Sequence, residues 1–347
     1  ALRATGVPEA DQFIRRKYHK GYRIIPGADR TTLDLAARTP HGLYYASKTL
    51  QQLIQAKAAD GQVTIPLIDI TDWPDMATRG IWGLDASSQV RWLSDRKFNH
   101  MEQIGSSHID ENKKPVSRLA SFKQQMVEDG PTHGISPVPA ILHLEQISGK
   151  GLFKHYPELQ GKGEGIHEGA ICYSNPVFTD LLAEWMVGYL KMPGVHEVDV
   201  WMAENLGGKP GCQCDSCKQG NRDLLELYAI LAAWEKAKKQ IPNARLSVLT
   251  SEETYDSNKE LLQALPVDIR FWYYHSLLTY STTETPMVPG YLARSAAQGR
   301  PVGVCLNLSP HPTHYQPMTG VQFIHYRITE FVEKKVSGLL GYPTPRV

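Results

Sequence analysis

Three of the 5 cysteines lie within six residues, in the segment CQCDSC. Cys212, Cys214 and Cys217 offer thiolates that could surround one Zn²⁺ at about 2.3 Å each, and a fourth ligand would close a tetrahedral site. Cys172 in AICYSNP is the natural fourth ligand, and His167 is the alternative. A closed site leaves no open position for water, so the spacing predicts a structural zinc and no catalytic metal. Unmetallated thiols and a disulfide remain the alternatives.

A second metal hypothesis concerns the segment HPTH, which places His311 and His314 three residues apart. That spacing brings two ligands together only on a helix, and Pro312 argues against a helix. We therefore expect these histidines to bind substrate hydroxyls or to pack within a loop. Cys305 lies inside an apolar run and is expected to be a small core residue.

Glu204 ends the apolar run EVDVWMAE and is the candidate proton donor for glycoside hydrolysis. That reaction needs a protonated group at the leaving oxygen and a second group, usually a carboxylate, at the anomeric centre. Burial beside Trp201 would raise the pKa of Glu204 and keep it protonated near neutral pH. Glu145 and Glu253 follow other apolar runs and are the candidate partner carboxylates. Position alone does not choose between them.

Polar and aromatic residues follow most of the apolar runs of the chain. Aromatic rings offer faces that stack on the C–H surfaces of a pyranose, while carboxylates carry out proton transfer. The sequence therefore predicts a sugar site, with the following substrate-binding residues: Asp85, His108, Asn205, Trp272, Tyr274, His275, Asn307 and Tyr342.

These residues need a scaffold that gathers the ends of many strands. From Arg79 onward eight short apolar runs alternate with helical patterns: RGIWGLD, HMEQIGSSH, PAILHLEQI, EVDVWMAEN, ARLSVLT, VDIRFWYYH, PVGVCLNLSP and SGLLGYPTP. This alternation predicts a (β/α)8 TIM barrel, whose active site lies at the C-terminal ends of the strands. The alternative is an open doubly wound sheet, but no glycine-rich GxGxxG or GxxxxGK turn follows any run.

The residues ahead of the barrel form a different pattern. KGYRIIPG and TTLDLAAR are typical of extended segments, and the apolar residues of HGLYYASKTLQQLIQAK recur at helical spacing. We predict an α/β chain with a small α/β domain at residues 1–75 and a catalytic barrel at residues 76–347.

Charge and hydropathy limit the classes of partner that the chain is expected to bind. Lys and Arg total 37 against 36 Asp and Glu, so no overall field favours nucleic acid or an anionic membrane, and a neutral oligosaccharide or glycoconjugate fits better. No apolar run is long enough to predict a membrane span. The opening ALRATGVPEADQ lacks the pattern of a signal peptide, which leaves the compartment open.

Two sets of motifs resemble known families. HGLYYASKTLQQLI and IPLIDITDWPDMATRGIWGLD resemble the junction between the small domain and the barrel of family-20 β-N-acetylhexosaminidases. HYPELQGKG, AICYSNPVF and CQCDSC resemble the family-163 endo-β-N-acetylglucosaminidases and related uncharacterised glycan-utilisation proteins. The resemblance favours a periplasmic or secreted location.

The family-20 resemblance implies roles for individual residues. Arg79 occupies the place of the arginine that binds sugar hydroxyls, and Glu204 that of the general acid. The family has an aspartate directly before this acid, where it orients the acetamido group of the substrate as the nucleophile. Here that position is Ala203, which puts the acetamido mechanism in doubt and leaves Glu145 or Glu253 to do the orienting.

Three functions follow as hypotheses. The first is an exo- or endo-acting glycoside hydrolase of β-linked N-acetylhexosamine glycans. The second is an α-glucuronidase-like hydrolase, which needs a carboxylate-binding Arg or Lys beyond Arg79. The third is an inactive glycan-binding barrel, which Ala203 motivates. The sugar, the stereochemistry and the oligomeric state stay open.

Overall fold

The computed structural model describes residues 20–59, 62–63, 65–83, 88–274, 285–307 and 321–342. The chain divides into two compact units. One comprises Ala1–Ala77 and Arg91–Phe98, and the other comprises Thr78–Val90 and Asn99–Val347. The described residues do not include Asp85, His275, His311 or His314, whose predicted roles stay predictions.

The strands are short and most belong to one sheet. In chain order they are β1 Tyr22–Pro26, β2 Leu33–Ala37, β3 Ala58–Ala59, β4 Gln62–Val63, β5 Ile70–Asp72, β6 Thr78–Trp82, β7 His100–Ile104, β8 Ser106–Ile109, β9 Pro115–Arg118, β10 Ser136–Ile141, β11 Glu197–Trp201, β12 Arg245–Leu249, β13 Arg270–Tyr274, β14 Val302–Asn307 and β15 Gly338–Tyr342.

The α-helices alternate with the strands. They are α1 Pro40–Lys57, α2 Ser88–Asp95, α3 Ser121–Asp129, α4 Leu144–Ile147, α5 Phe153–His155, α6 Pro176–Leu190, α7 Arg222–Gln240, α8 Asn258–Ala264, α9 Gly290–Ala297 and α10 Val321–Glu333. No helix among the described residues is both long and apolar enough to cross a bilayer.

The smaller unit is a three-stranded antiparallel sheet packed on one helix. Its strands are ordered β2-β1-β5. Alternate residues of β1, Tyr22 and Ile24, face the same side and pack with Tyr45 and Ala46 of α1. Gly42 permits this approach, because a Cβ there would lie 2.6 Å from the carbonyl oxygen of Gly21. The helical prediction for HGLYYASKTLQQLIQAK is confirmed.

The larger unit is a closed barrel of eight strands. The order is β10-β11-β12-β13-β14-β15-β6-β7, and all of its strand pairs are parallel. Each of the eight predicted apolar runs contributes one strand. The predicted (β/α)8 barrel is confirmed.

One predicted strand end differs from the structure. The run HMEQIGSSH is split, because β7 ends at Ile104 and β8 then pairs with β9 as an antiparallel hairpin. His108 lies in that hairpin, where its carbonyl accepts the indole N–H of Trp185 at 3.1 Å. The hairpin therefore packs on α6, and His108 is not at the end of a barrel strand as predicted.

Trp272 fills the interior of the barrel. Its side chain is fully buried, and it belongs to a cluster with Leu249 and Leu340. A Cβ at Gly303 of β14 would lie 2.1 Å from the Trp272 ring and one at Gly338 of β15 2.9 Å from it, so both positions need glycine. The structure thus places Trp272 in the core and not on a surface that a sugar could reach.

A layer of ionisable groups lies inside the barrel. His100 Nε2 lies 2.9 Å from Glu102 Oε1, and both residues are buried. Burial raises the pKa of Glu102 to about 8 and lowers that of His100 to about 4. The pKa of Asp199 is also raised, first by burial and then by the charge of Glu102. Two adjacent carboxyl groups can bond to each other only if one is protonated, so this layer is held largely neutral.

This neutral layer predicts a pH-dependent stability. Between about pH 6.5 and 8 Glu102 is ionised in the unfolded chain but protonated in the folded one, so the free energy of unfolding falls as pH rises, by up to about 1.4 kcal/mol per pH unit for one proton. Below pH 6.5 the unfolded chain binds a proton at His100, which opposes this slope. Glu102→Gln should flatten the decline in denaturant unfolding measured at successive pH values.

The exposed Glu184 of α6 provides the matched control for this measurement. Glu184→Gln removes the same ionisable group from a solvated position and should keep the slope of the unmodified chain. A Glu102→Gln chain with an unchanged slope would contradict the assignment of a protonated Glu102.

Candidate active site

Two segments meet at the C-terminal ends of adjacent strands. β10 and β11 pair with Ala140 opposite Asp199 and Ile141 opposite Val200. His143 lies two residues after the end of β10, and Glu204 lies three residues after the end of β11. His143 Nε2 lies 2.9 Å from Glu204 Oε2. The structure therefore pairs the predicted acid with a histidine that the sequence analysis did not single out.

The second ring nitrogen of His143 fixes the protonation pattern. Nδ1 donates to the carbonyl oxygen of Met202, because a carbonyl can only accept. Nε2 is therefore the nitrogen that exchanges a proton with Glu204. The ring also packs on Trp201 at a centroid distance of 5.3 Å, and Trp201 meets Trp82 edge-on at 4.9 Å. These contacts hold the imidazole in one orientation.

The electrostatics of the pair favour a charged histidine. The His143 side chain is 7% exposed and that of Glu204 is 25% exposed. Burial acts to lower the pKa of His143, but the hydrogen bond and the negative charge of Glu204 outweigh it, and the pKa is raised. The Met202 carbonyl adds to the rise. An imidazolium therefore persists next to the acid at higher pH than for a free histidine.

Glu145 is buried directly beneath this pair. Its Oε2 accepts the backbone N–H of Glu204 at 3.3 Å, and its Oε1 accepts the backbone N–H of Asn205 at 3.1 Å. The amide nitrogen of the Asn205 side chain lies 3.5 Å from the same Oε1. Both carboxylate oxygens are therefore engaged with the chain that carries the acid.

Glu253 makes similar bonds to the same loop, at residues farther from Glu204. Its Oε1 accepts the backbone N–H of Gly207 at 2.8 Å and of Gly208 at 3.3 Å. Arg222 Nη1 lies 3.8 Å from its Oε2. Both predicted partner carboxylates thus lie at the loop of Glu204, and both bind its backbone.

Ala203 is clamped by two residues that the sequence analysis missed. Its N–H donates to Glu226 Oε1 at 2.8 Å, and its carbonyl accepts the hydroxyl of Ser251. Burial raises the pKa of Glu226 to about 8. Glu226 shares the apolar spacing of Ile230 and Ala233 on α7. A glutamate at a core position of a helix was the available signal.

The other predicted sugar contacts have different placements. Arg79 is the second residue of β6 and lies toward the N-terminal end of its strand, whereas Tyr274 ends β13 and packs partly on the barrel cluster. Asn307 and Tyr342 end β14 and β15, and their side chains are outside the described part of the structure. Tyr274 is therefore the described aromatic residue of this set that lies at a C-terminal strand end.

Comparison with known proteins gives one family match. The family model for glycosyl hydrolase family 20, domain 2, matches residues 9–73. This confirms the family-20 resemblance for the segment ahead of the barrel, while the family-163 resemblance stays a prediction. A search of curated protein sequences gives no match.

Solved structures extend the comparison to the barrel. A crystal structure of a β-N-acetylhexosaminidase aligns with a TM-score of 0.59 at 12% identity, covering 94% of this chain and 78% of that one. The fold resembles that of a β-N-acetylhexosaminidase. A β-galactosidase from Rahnella sp. R3 aligns with a TM-score of 0.50 at 12% identity, covering 78% of this chain and 50% of that one. At these identities the likeness shows the shared fold.

The paired geometry predicts how His143 titrates. Glu204→Gln removes the negative charge and leaves the burial, so the pKa of His143 should fall. Glu184→Gln is the matched control, since it makes the same change at an exposed position of α6 away from the imidazole. NMR titration of the imidazole, assigned with a His143→Asn chain, measures both. An unchanged His143 pKa in Glu204→Gln would show that the pair does not exist in solution.

Proposed function

We propose that the chain is a glycoside hydrolase acting on β-linked N-acetylhexosamine-containing glycans, in exo or endo mode, with Glu204 as general acid/base. The observation that carries the proposal is the hydrogen bond between His143 and Glu204 at the C-terminal ends of neighbouring barrel strands. That edge is where barrel enzymes place their chemistry. The family-20 match ahead of the barrel and the fold likeness to a β-N-acetylhexosaminidase support the substrate class.

His143 and Glu204 together can supply the proton that glycoside hydrolysis requires. The pair shares one proton between His143 Nε2 and Glu204 Oε2, and when that proton lies on Glu204 the carboxyl group can donate it to the glycosidic oxygen beside a neutral His143. After the transfer Glu204 is a carboxylate, whose charge favours renewed protonation of His143. In the hydrolytic step the same carboxylate accepts a proton from water.

In this proposal the neighbouring carboxylates hold Glu204 in position. Glu145 and Glu253 each accept backbone N–H groups, so they fix the loop on which Glu204 stands. Ala203 has no acid to orient an acetamido group, and its backbone is held on both sides by Glu226 and Ser251. Ala203 also favours a second candidate function, a glycan-binding barrel without turnover.

Loss of the acid should remove turnover and keep binding. Glu204→Gln should lower kcat by about 10²- to 10⁴-fold, because the amide cannot donate a proton in the way the acid does, while sugar affinity changes little. The assay compares aryl β-N-acetylglucosaminide, β-N-acetylgalactosaminide, α-glucuronide and N-glycan substrates. Isothermal titration with the free sugars follows binding separately.

Glu184→Gln, on the exposed face of α6, is the control and should match the unmodified chain. Full turnover by Glu204→Gln would remove Glu204 from the chemistry. Sugar binding without turnover by the unmodified chain would establish the glycan-binding barrel instead. Release of glucuronic acid alone would replace the proposed substrate class with that of an α-glucuronidase.

Glu145→Gln tests the positioning role. A glutamine has one acceptor oxygen, so one of the two backbone N–H groups would face an amide N–H and lose its bond, at a cost of about 1–3 kcal/mol. We expect a lower kcat with little change in KM, and a lower free energy of unfolding. Equal stability and equal kcat would show that these bonds do not hold the acid in place.

A further inference from the structure

Four cysteines form a compact cluster beside the loop of Glu204. The sulfur atoms of Cys172, Cys212, Cys214 and Cys217 all lie within 4.8 Å of one another. Cys172 comes from the segment ahead of α6, and the other three come from the loop between β11 and α7. Three of the four are buried. Two segments far apart in the chain therefore meet at one group of thiols.

We propose that this cluster binds one zinc ion as a closed structural site. In a regular tetrahedron the corners are about 1.63 times as far from one another as from the centre, so Zn–S bonds of about 2.3 Å require sulfur separations of about 3.8 Å. Cys172 Sγ lies 3.7 Å from Cys214 Sγ and 3.9 Å from Cys217 Sγ. These separations fit four thiolates around a single ion.

Other uses of the cluster fit the distances less well. A disulfide needs sulfurs about 2.05 Å apart, and all four cysteines are free. A polynuclear iron–sulfur cluster spreads its cysteine ligands around several iron atoms, which takes them beyond the spacing seen here. Among single divalent ions, thiolates bind zinc more tightly than ferrous iron. His167 Nδ1 accepts the N–H of Gly169 at 3.0 Å, and the four thiols by themselves supply a complete tetrahedral ligand set.

Hydrogen-bond donors surround the sulfurs as they do in metal–thiolate sites. The backbone N–H of Lys162 lies 3.4 Å from Cys212 Sγ. The Ser174 hydroxyl lies 3.3 Å from Cys172 Sγ and can donate to it, while it accepts from the Cys217 thiol at 3.2 Å. Such donors orient thiolate ligands and reduce the negative charge of the site.

The ion would join two segments of the chain that backbone hydrogen bonds already connect. Gln213 N–H donates to the Lys162 carbonyl at 2.6 Å, and Cys172 N–H donates to the Leu159 carbonyl at 2.8 Å. With zinc bound, the segment 159–172 is tied to the far end of the loop that starts at Glu204. This proposal does not rest on hydrolytic activity, because metal content and ligation are measured directly.

The test starts from the full chain expressed with zinc in the medium and purified without chelator. Mass spectrometric metal analysis should give one zinc per chain. Replacement with Co²⁺ should give the thiolate charge-transfer absorption and the intense visible bands of a tetrahedral sulfur site. Cys214→Ser and Cys172→Ser should each lose the tightly held ion, while Cys305→Ala should keep it, because Cys305 lies in the barrel core outside the cluster.

Three results would overturn the proposal. They are an unmodified chain without zinc, zinc retained in both serine variants, and an intramolecular disulfide found within the cluster by peptide mapping. If a serine variant does not fold, the cobalt spectrum of the unmodified chain decides between tetrahedral sulfur ligation and other sites. An inactive chain with one zinc would leave this proposal standing and count against the hydrolase alone.

Discussion

The loop after β11 is held by carboxyl groups that accept its backbone N–H groups, and the candidate site depends on this constraint. Glu226 accepts from residue 203, Glu145 from residues 204 and 205, and Glu253 from residues 207 and 208. Backbone N–H groups outside regular secondary structure bond to side chains or to water, and in this loop carboxyl oxygens take that place. The chain thus fixes Glu204 through its own main chain, before any contact with substrate.

The barrel could be predicted because its strands are local patterns, and the site could be predicted only in part. Glu145, Glu204 and Glu253 were expected together, since parallel strands deliver their ends to one edge. The use of Glu145 and Glu253 was not predictable, because only coordinates show whether a carboxylate meets a backbone N–H or open space. His143 was missed for the same reason. Its partner is distant in sequence, and the register of β10 on β11 sets the contact.

For Trp272 the strand was predicted correctly, but the structure does not support the predicted contact of its side chain with a sugar. The run that contains it forms β13, as predicted, but alternation along the strand sends its ring into the core, where Gly303 and Gly338 make room. Tyr274, two residues later, lies on the same face but at the strand end. Along one strand, depth in the barrel decides whether an aromatic ring serves packing or lies within reach of a ligand.

Two histidine–glutamate pairs in the described part of the barrel show how a neighbouring charge changes the pKa of a buried histidine. His100 and Glu102 are fully buried without a compensating charge large enough to overcome burial, so the histidine stays neutral and the acid stays protonated. His143 is also buried, but Glu204 is partly exposed and its charge prevails. The same pair of residue types is therefore neutral in the core, whereas at the rim the histidine has a raised pKa.

The backbone of Ala203 has a structural role in this arrangement. The family-20 pattern has an aspartate at this position to act on the substrate, whereas here the N–H and carbonyl of Ala203 are both bound by buried side chains. The acids near Glu204 are directed at the backbone of the loop, and the cluster of cysteines lies at the loop's other end. The carboxylates around Glu204 and His143 therefore hold the loop in place. In the proposed hydrolase, both carboxylate oxygens of Glu145 are already bonded to this loop, so the group that acts at the anomeric centre would come from a strand end other than that of β10.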